Sequence, residues 1–270
     1  MTTESKNNEL TQTEKELATT LFKAYSSHNA LSKAEYLQTL KSDESAYRVQ
    51  RLVTSLKEEP VGGYKVSLTS KETQDMFAAD SPLYGAQVRS HFRPSPASFK
   101  PTDLMSPLAE VELMFTATED LSSKDTLEQL LQKTNVAAAV EVPDSRFSDW
   151  FPSLPKYLVM ADAAVGGFVV YGEEWPTSEV FGTPKEVAYV KCSLYHDGKH
   201  LKDGAATEVL GNPLSSLHWL AEKLESQSQK LTAGQRVSSG TFLLPETLTA
   251  GKWKATFDHG LGEVNLTVEK

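Results

Sequence analysis

Glu110 and Glu112 stand two residues apart in the run AEVELMF (109–115), and Glu141 lies in a second apolar run, AAAVEV (137–142). Side chains two apart on a strand share a face. Three carboxylates, each among aliphatic neighbours, suit a hard divalent cation. Mg2+ and Mn2+ take oxygen ligands and usually keep positions open for water or substrate. Spacing alone leaves a second reading open, because Glu-x-Glu is also the pattern of a strand with one wet side. Glu141 fits that second reading less well, having apolar residues on both sides.

The other reactive residue types offer less. No G-x-S-x-G elbow accompanies the six histidines, and no G-x-G-x-x-G opens a helix. His218 falls within an amphipathic helical pattern, His196 in the turn YHDGK, and His259 in DHGLG. Cys192, the single cysteine, alternates with Val190 and Leu194 and reads as a core thiol. It excludes an internal disulfide and a multi-cysteine metal site.

The elements that must position the acids fall into two regions. Residues 9–58 read as helical: ELATTLFKAY has apolar residues at helical spacing, and SDESAYRVQRLVTSLKEE opens on Ser42 and Asp43 as cap candidates. Tyr47, Val49, Leu52, Val53 and Leu56 make one apolar stripe, and Pro60 with Gly62-Gly63 closes the region. The pattern then turns to strands: GYKVSLT, EVELMF, AAAVEV, GGFVVYG, EVAYVKCSLYHDGK, QRVSSGTF, GKWKATFD and GEVNLTVE. Asp-Gly in HDGK signals a tight hairpin. Two helices interrupt the strands, over 123–134 and over 212–227, the latter with Pro213 in its first turn. The layout is a helical region, 1–60, on a mixed-sheet body, 61–270, with residues 1–8 expected to be disordered.

With 270 residues, 39% hydrophobic and 23% charged, the chain is long enough for a sizeable core and ordinary in composition. A formal charge of −9 with no local Lys/Arg cluster argues against a nucleic-acid partner. The polar start, MTTESKNNELTQTEKEL, lacks the apolar stretch of a secretory signal, and no run is long enough to span a membrane. The expected setting is the cytoplasm.

The chain resembles the hydratase/decarboxylase branch of the fumarylacetoacetate hydrolase superfamily. The resemblance is carried by AYRVQ (46–50), GYKVSLTS (63–70), YG (84–85), EVELMF (110–115), AVEVPDSRFSDW (139–150), AD (161–162), LGNPLSSLHWLA (210–221), LTAGQRVSSG (231–240) and GLGEVNLTV (260–268). These segments occur in the family's order and run from about residue 15 to near the end. No single segment is specific; together they are.

The resemblance implies an α+β fold, a mixed β-sheet roll of the fumarylacetoacetate hydrolase C-terminal type with an N-terminal helical region. It implies Mg2+ or Mn2+ held by Glu110, Glu112 and Glu141 at the mouth of the roll. A 2-oxo acid would chelate that metal, which would stabilise an enolate. The family's lysine in K-I-G-L-T-S maps onto Lys65, as a group that orients substrate or shuttles a proton. Asp80 is a weaker acid/base candidate, since an aspartate before Ser-Pro is also a common turn residue. Asp162 and Thr241 are expected at the substrate. The expected activity is hydration of a small 2-oxo or 2-hydroxydienoic acid, with 4-oxalocrotonate-type decarboxylation, or a non-catalytic subunit role, as alternatives. A homo-oligomer is implied.

Departures from the family pattern bear on substrate rather than metal. Ser67 replaces a glycine, and Leu83 replaces an acid common before the aromatic-Gly pair. The family's A-D-N-A-S reads ADAAV, with Ala163 and Val165 in place of Asn and Ser. That predicts a more apolar or differently shaped pocket. A His/Glu pair on an N-terminal lid, as in the hydrolytic branch, has no equivalent in residues 9–58.

Overall fold

The computed structural model describes residues 9–270, so the expectation for residues 1–8 lies outside the described part. Helix α1 (Gln12–Ser27) begins at a capping box in which Thr11 and Glu14 exchange side-chain and backbone hydrogen bonds. Glu14 also takes an ion pair from Arg48, tying α1 to α2 (Asp43–Leu56). Ser42 caps α2 as expected. Tyr47, Val49 and Val53 of the predicted stripe are buried, with Leu52 and Leu56 at its edge.

On the same face Gln50, 1% exposed, works as a connector. Its amide donates to the carbonyls of Tyr84 (3.0 Å) and Met160 (2.6 Å), and its Oε1 accepts from Ala86 N (3.0 Å).

The strands are β1 (Val61–Ser67), β2 (Leu83–Val88), β3 (Phe92–Pro94), β4 (Ala97–Phe99), β5 (Leu108–Ala117), β6 (Thr134–Val142), β7 (Phe168–Tyr171) and β8 (Trp175–Pro176). They continue with β9 (Lys191–His196), β10 (Lys199–Ala205), β11 (Arg236–Ser238), β12 (Glu246–Thr247), β13 (Gly251–Phe257) and β14 (Gly262–Val268). The larger sheet runs β2-β1-β11-β5-β6-β7-β3, with β12 against β5 and β8 against β6. The smaller runs β10-β9-β13-β14-β4 and packs against β6 and β7 through β13 and β14. Both are mixed: β1–β11, β3–β7 and β4–β14 are parallel pairs among antiparallel ones. This is the expected α+β roll. The Asp-Gly hairpin forms between β9 and β10, pairing His196 with Lys199, with Asp197 and Gly198 both at positive φ.

Further helices fill the connections: α3 (Lys71–Met76), α4 (Leu127–Gln132), α5 (Lys156–Ala161), α6 (Thr177–Val180), α7 (Pro184–Val187) and α8 (Pro213–Ser226). Two expectations need correction. The helix predicted over 123–134 is shorter, because Asp125 accepts from Ser122 N and Lys133 and folds 122–125 into a turn, leaving Thr126 as cap. EVAY is not strand: Pro184 starts α7 and the Glu186 carboxylate accepts from Gly182 N and Thr183 Oγ1, so β9 begins only at Lys191. No helix among the described residues is long and apolar enough to cross a membrane.

Candidate active site

Strands β5 and β6 bring the three glutamates together. Glu110 pairs in register with Glu141, and Glu112 follows two residues along the same face of β5. One carboxylate oxygen from each lies within 4.8 Å of the others. Glu112 and Glu141 are each 1% exposed, and Glu110 is half-buried. The wet-strand reading of Glu-x-Glu therefore fails here: these acids face an enclosed site.

Their environment explains how such charge is tolerated. Glu112 Oε2 accepts from Ser238 Oγ (2.6 Å) and from Gly240 N (2.8 Å), both at the end of β11. Lys65, 2% exposed on β1, sets its ammonium against Glu141 Oε1 as a buried ion pair. Glu112 Oε1 and Glu141 Oε2 are buried with no hydrogen-bond partner. Burial is the main force raising all three carboxyl pKa values. Glu110 is pushed up to about 7, the Lys65 charge opposing that rise and Glu141 adding to it. Burial alone would lower the Lys65 pKa, but Glu141, Glu110 and Glu112 outweigh it and hold the ammonium above its usual value. Clustered, underpartnered carboxylate oxygens are what a hard dication takes. The residues fit such an ion.

A cavity opens beside the cluster, lined by Lys65, Glu110, Trp150, Phe151, Val165 and Thr241 among others. Its free interior is about 40 Å³, enough for a water molecule and too small for a substrate of several carbons. Thr241, expected at the substrate, does line it, although its hydroxyl donates to Leu243 O (2.8 Å).

Asp162 and Asp80 are placed differently from the expectation. The Asp162 carboxylate is consumed by Arg146 Nε, Arg146 N and Ser145 Oγ, and Arg146 also binds the carbonyls of Asp162 and Gly166. This clamp anchors the turn Ala163-Ala164-Val165, all three at φ between 50° and 55°. Non-glycine residues seldom adopt that conformation, and for a β-branched one it is an outlier. Further bonds hold the turn: Asp144 N donates to Val165 O (2.8 Å) and Gln87 Nε2 to Ala163 O (3.2 Å). At Gly85, the register partner of Lys65, a Cβ would lie 1.8 Å from Ala163 O, so only glycine lets the turn approach β2. Asp80 is not brought to the cluster. Its side chain is 94% exposed, on the loop after α3, with Lys156 at 3.9 Å. Leu83 is 1% exposed and packs in the main core rather than on the cavity.

Ser238, Gly240 and Arg146 lie within recognised segments, VSSG and DSR, yet carried no assigned role in the sequence. Their contacts join residues far apart in the chain, which spacing does not reveal.

No family model matches the chain. It is 31% identical over 228 residues to 2-keto-4-pentenoate hydratase of Burkholderia vietnamiensis, covering 82% of this chain and 84% of that protein. It is 29% identical over 212 residues to 2-oxo-hept-4-ene-1,7-dioate hydratase of Escherichia coli, covering 75% and 78%. Among solved structures, 4-oxalocrotonate decarboxylase from Pseudomonas putida G7, complexed with magnesium and adipate, superposes with a TM-score of 0.84 over 99% of each chain, at 22% identity.

Proposed function

Since the chain belongs to the hydratase/decarboxylase branch of the fumarylacetoacetate hydrolase superfamily, we propose that it is a divalent-metal-dependent lyase of the 2-keto-4-pentenoate hydratase kind. Its substrate in this reading is a small 2-oxo or 2-hydroxydienoic acid. The observation that carries the proposal is the convergence of Glu110, Glu112 and Glu141 with a buried lysine beside a cavity.

Glu110, Glu112 and Glu141 would hold Mg2+ or Mn2+, which when bound supplies Lewis-acid stabilisation of negative charge on the substrate's oxygens. Ser238 and Gly240 fix the Glu112 carboxylate, so that one oxygen is held and the other is presented. Lys65 keeps its proton on Nζ at the cavity wall, where its ammonium would orient an anionic substrate and could pass on a proton. Trp150, Phe151 and Val165 exclude water around the reacting chain. Asp162 contributes by holding the 163–165 turn, and Asp80 has no part in this scheme.

A decarboxylase of the 4-oxalocrotonate kind is the second reading. The observation favouring it is Val165, a hydrocarbon on the cavity wall where the resemblance leads one to expect a serine. We further propose a homo-oligomer in the cytoplasm, testable by light scattering and by fractionation.

The deciding experiment is calorimetric titration of Mg2+ and Mn2+ into metal-stripped protein, with and without oxalate, followed by assay of 2-hydroxydienoates and 4-oxalocrotonate for hydration and for CO2 release. Metal binding strengthened by oxalate, with turnover to a hydrated product, is the expected result. No metal binding by the wild-type protein would refute the proposal.

A further inference from the structure

A second cavity, of about 300 Å³, borders the turn that walls the active site. The two share no lining residue, yet they adjoin along the chain at two places: Pro143 and Val165 line the first, Asp144 and Gly166 the second. Arg93 and Arg146 both line the second cavity. Arg93 is half-buried, its guanidinium 4.2 Å from the centre of the Phe168 ring and 5.0 Å from that of Phe99. Among the described residues that guanidinium makes no hydrogen bond and no ion pair. Arg146 spends three of its five N–H groups on Asp162 Oδ1, Asp162 O and Gly166 O, which leaves one on Nη1 and one on Nη2. The acids of the wall are engaged elsewhere. Both Asp144 oxygens accept from backbone N–H groups, of Met105 (2.8 Å) and Ser106 (2.6 Å), and Asp103 accepts from Lys100 N (2.8 Å).

Most of the other polar side chains there are occupied with one another. Gln87 Nε2 donates to Ala163 O (3.2 Å), so its Oε1 is the atom that meets His91 Nδ1 (2.8 Å), and that nitrogen must carry the ring's proton. His91 is kept neutral, so its Nε2 accepts from Tyr25 Oη (3.1 Å). Tyr25 therefore has no proton to offer an occupant. Ser26 Oγ is likewise spent on Phe22 O (2.9 Å), and His28 is exposed. The enclosed donors left are guanidinium N–H groups. The field has the matching sign, because Lys57, Arg146 and Arg93 all disfavour positive charge on the His91 ring. We propose that this cavity is a second binding site, for an organic monocarboxylate whose carboxylate is taken by Arg93 with Arg146 and whose apolar part lies on Phe168 and Met105. A guanidinium meets a carboxylate in a bidentate fork. Arg146 is balanced by Asp162, so Arg93 brings one unmatched charge, which suits a monoanion. Phe168 and Met105 reward hydrocarbon, which an inorganic oxyanion lacks.

The probe is benzoate, which has a carboxylate and an apolar body but no 2-oxo oxygen with which to chelate a metal. It is titrated by calorimetry into the metal-stripped full chain, and again after Mn2+ is added. One benzoate per chain is expected, bound equally well in both states. Arg93→Gln should weaken it by about tenfold or more, the worth of a hydrogen bond between charged groups. No binding overturns the proposal. Binding only with Mn2+ present also overturns it, by assigning the ligand to the glutamate cluster. Inorganic phosphate tests the apolar part: if it binds as tightly as benzoate, the cavity reads charge alone and the organic occupant is wrong. Should Arg93→Gln melt well below the parent, Met105→Glu takes its place. Met105 is half-buried on the wall, and an acid there should weaken benzoate by about tenfold through like-charge repulsion. Benzoate affinity unmoved in a folded variant overturns the site. None of these outcomes depends on the function proposed above, so either reading can fail without the other.

Discussion

Glu110 and Glu141 stand directly opposite each other across the β5–β6 pair. Like charges in that relation repel, and here burial removes much of the water that would screen them. The pairing is tolerable because Lys65, protons or a bound cation supply the missing positive charge. Each has a measurable consequence.

Glu141→Gln should weaken Mn2+ binding by at least about a hundredfold, since even outer residues around a metal are worth 10–100-fold. The circular dichroism spectrum should be unchanged, because the substitution keeps shape and leaves Lys65 facing two other acids. Calorimetry checks the first point, and undiminished Mn2+ affinity would remove Glu141 from the metal set.

Lys65→Met takes the cation from a buried cluster and should cost about 3–5 kcal/mol in the metal-free protein. Adding Mn2+ should return part of that loss, because an ion that binds only the folded state stabilises it. Urea unfolding with and without Mn2+ measures both. A variant as stable as the parent, with no response to metal, contradicts the account.

Asp162→Ala should act on structure before it acts on chemistry. The clamp with Arg146 holds three consecutive left-handed residues, so its loss releases Val165 from the cavity wall. A drop of about 3–5 kcal/mol is expected, because Arg146 is left buried and unpaired. Thermal melts together with separate kcat and KM values test this, and full stability with lost binding would restore Asp162 as a direct substrate contact.

Acid should destabilise the protein through His91. The ring is 2% exposed, with Nδ1 2.8 Å from Gln87 Oε1 and Nε2 3.1 Å from Tyr25 Oη. Burial first, then the charges of Lys57, Arg146 and Arg93, hold its pKa well below 6.5. The folded ring stays neutral while the unfolded chain takes up a proton below about pH 6.5. The unfolded state thus binds more protons, and stability falls with falling pH by about 1.4 kcal/mol per unit. The raised glutamates have the opposite sign, so the difference between the parent and His91→Phe isolates the ring. Equal slopes in the two proteins would exclude it.

Glu110, Glu112 and Glu141 were legible in the sequence because a carboxylate among aliphatic residues is locally anomalous. Their mutual placement was not, since register across β5 and β6 depends on where two distant strands pair. Lys65 was locatable by resemblance, but its ion pair with Glu141 was not. Asp162 was expected at the substrate, whereas in the structure its carboxylate is engaged by a guanidinium sixteen residues earlier, in a DSR run whose arginine carries no local signal. At EVAY the alternating apolar pattern suggested a strand, and Pro184 with the Glu186 carboxylate wound it into a helix instead. The shorter α4 has the same kind of cause, a side chain closing a turn that helical periodicity does not register.

Gln50 bears on how the molecule comes apart. Its amide satisfies two carbonyls and one N–H, on β2 and α5, from α2. Peeling α2 away would strand those three backbone groups, each costing about 1–3 kcal/mol if kept from water. We therefore expect residues 9–60 and 61–270 to form one cooperative unit rather than a cap that frays from a stable body. Amide hydrogens of α2 and β2 should then exchange at a common, slowest rate set by global unfolding.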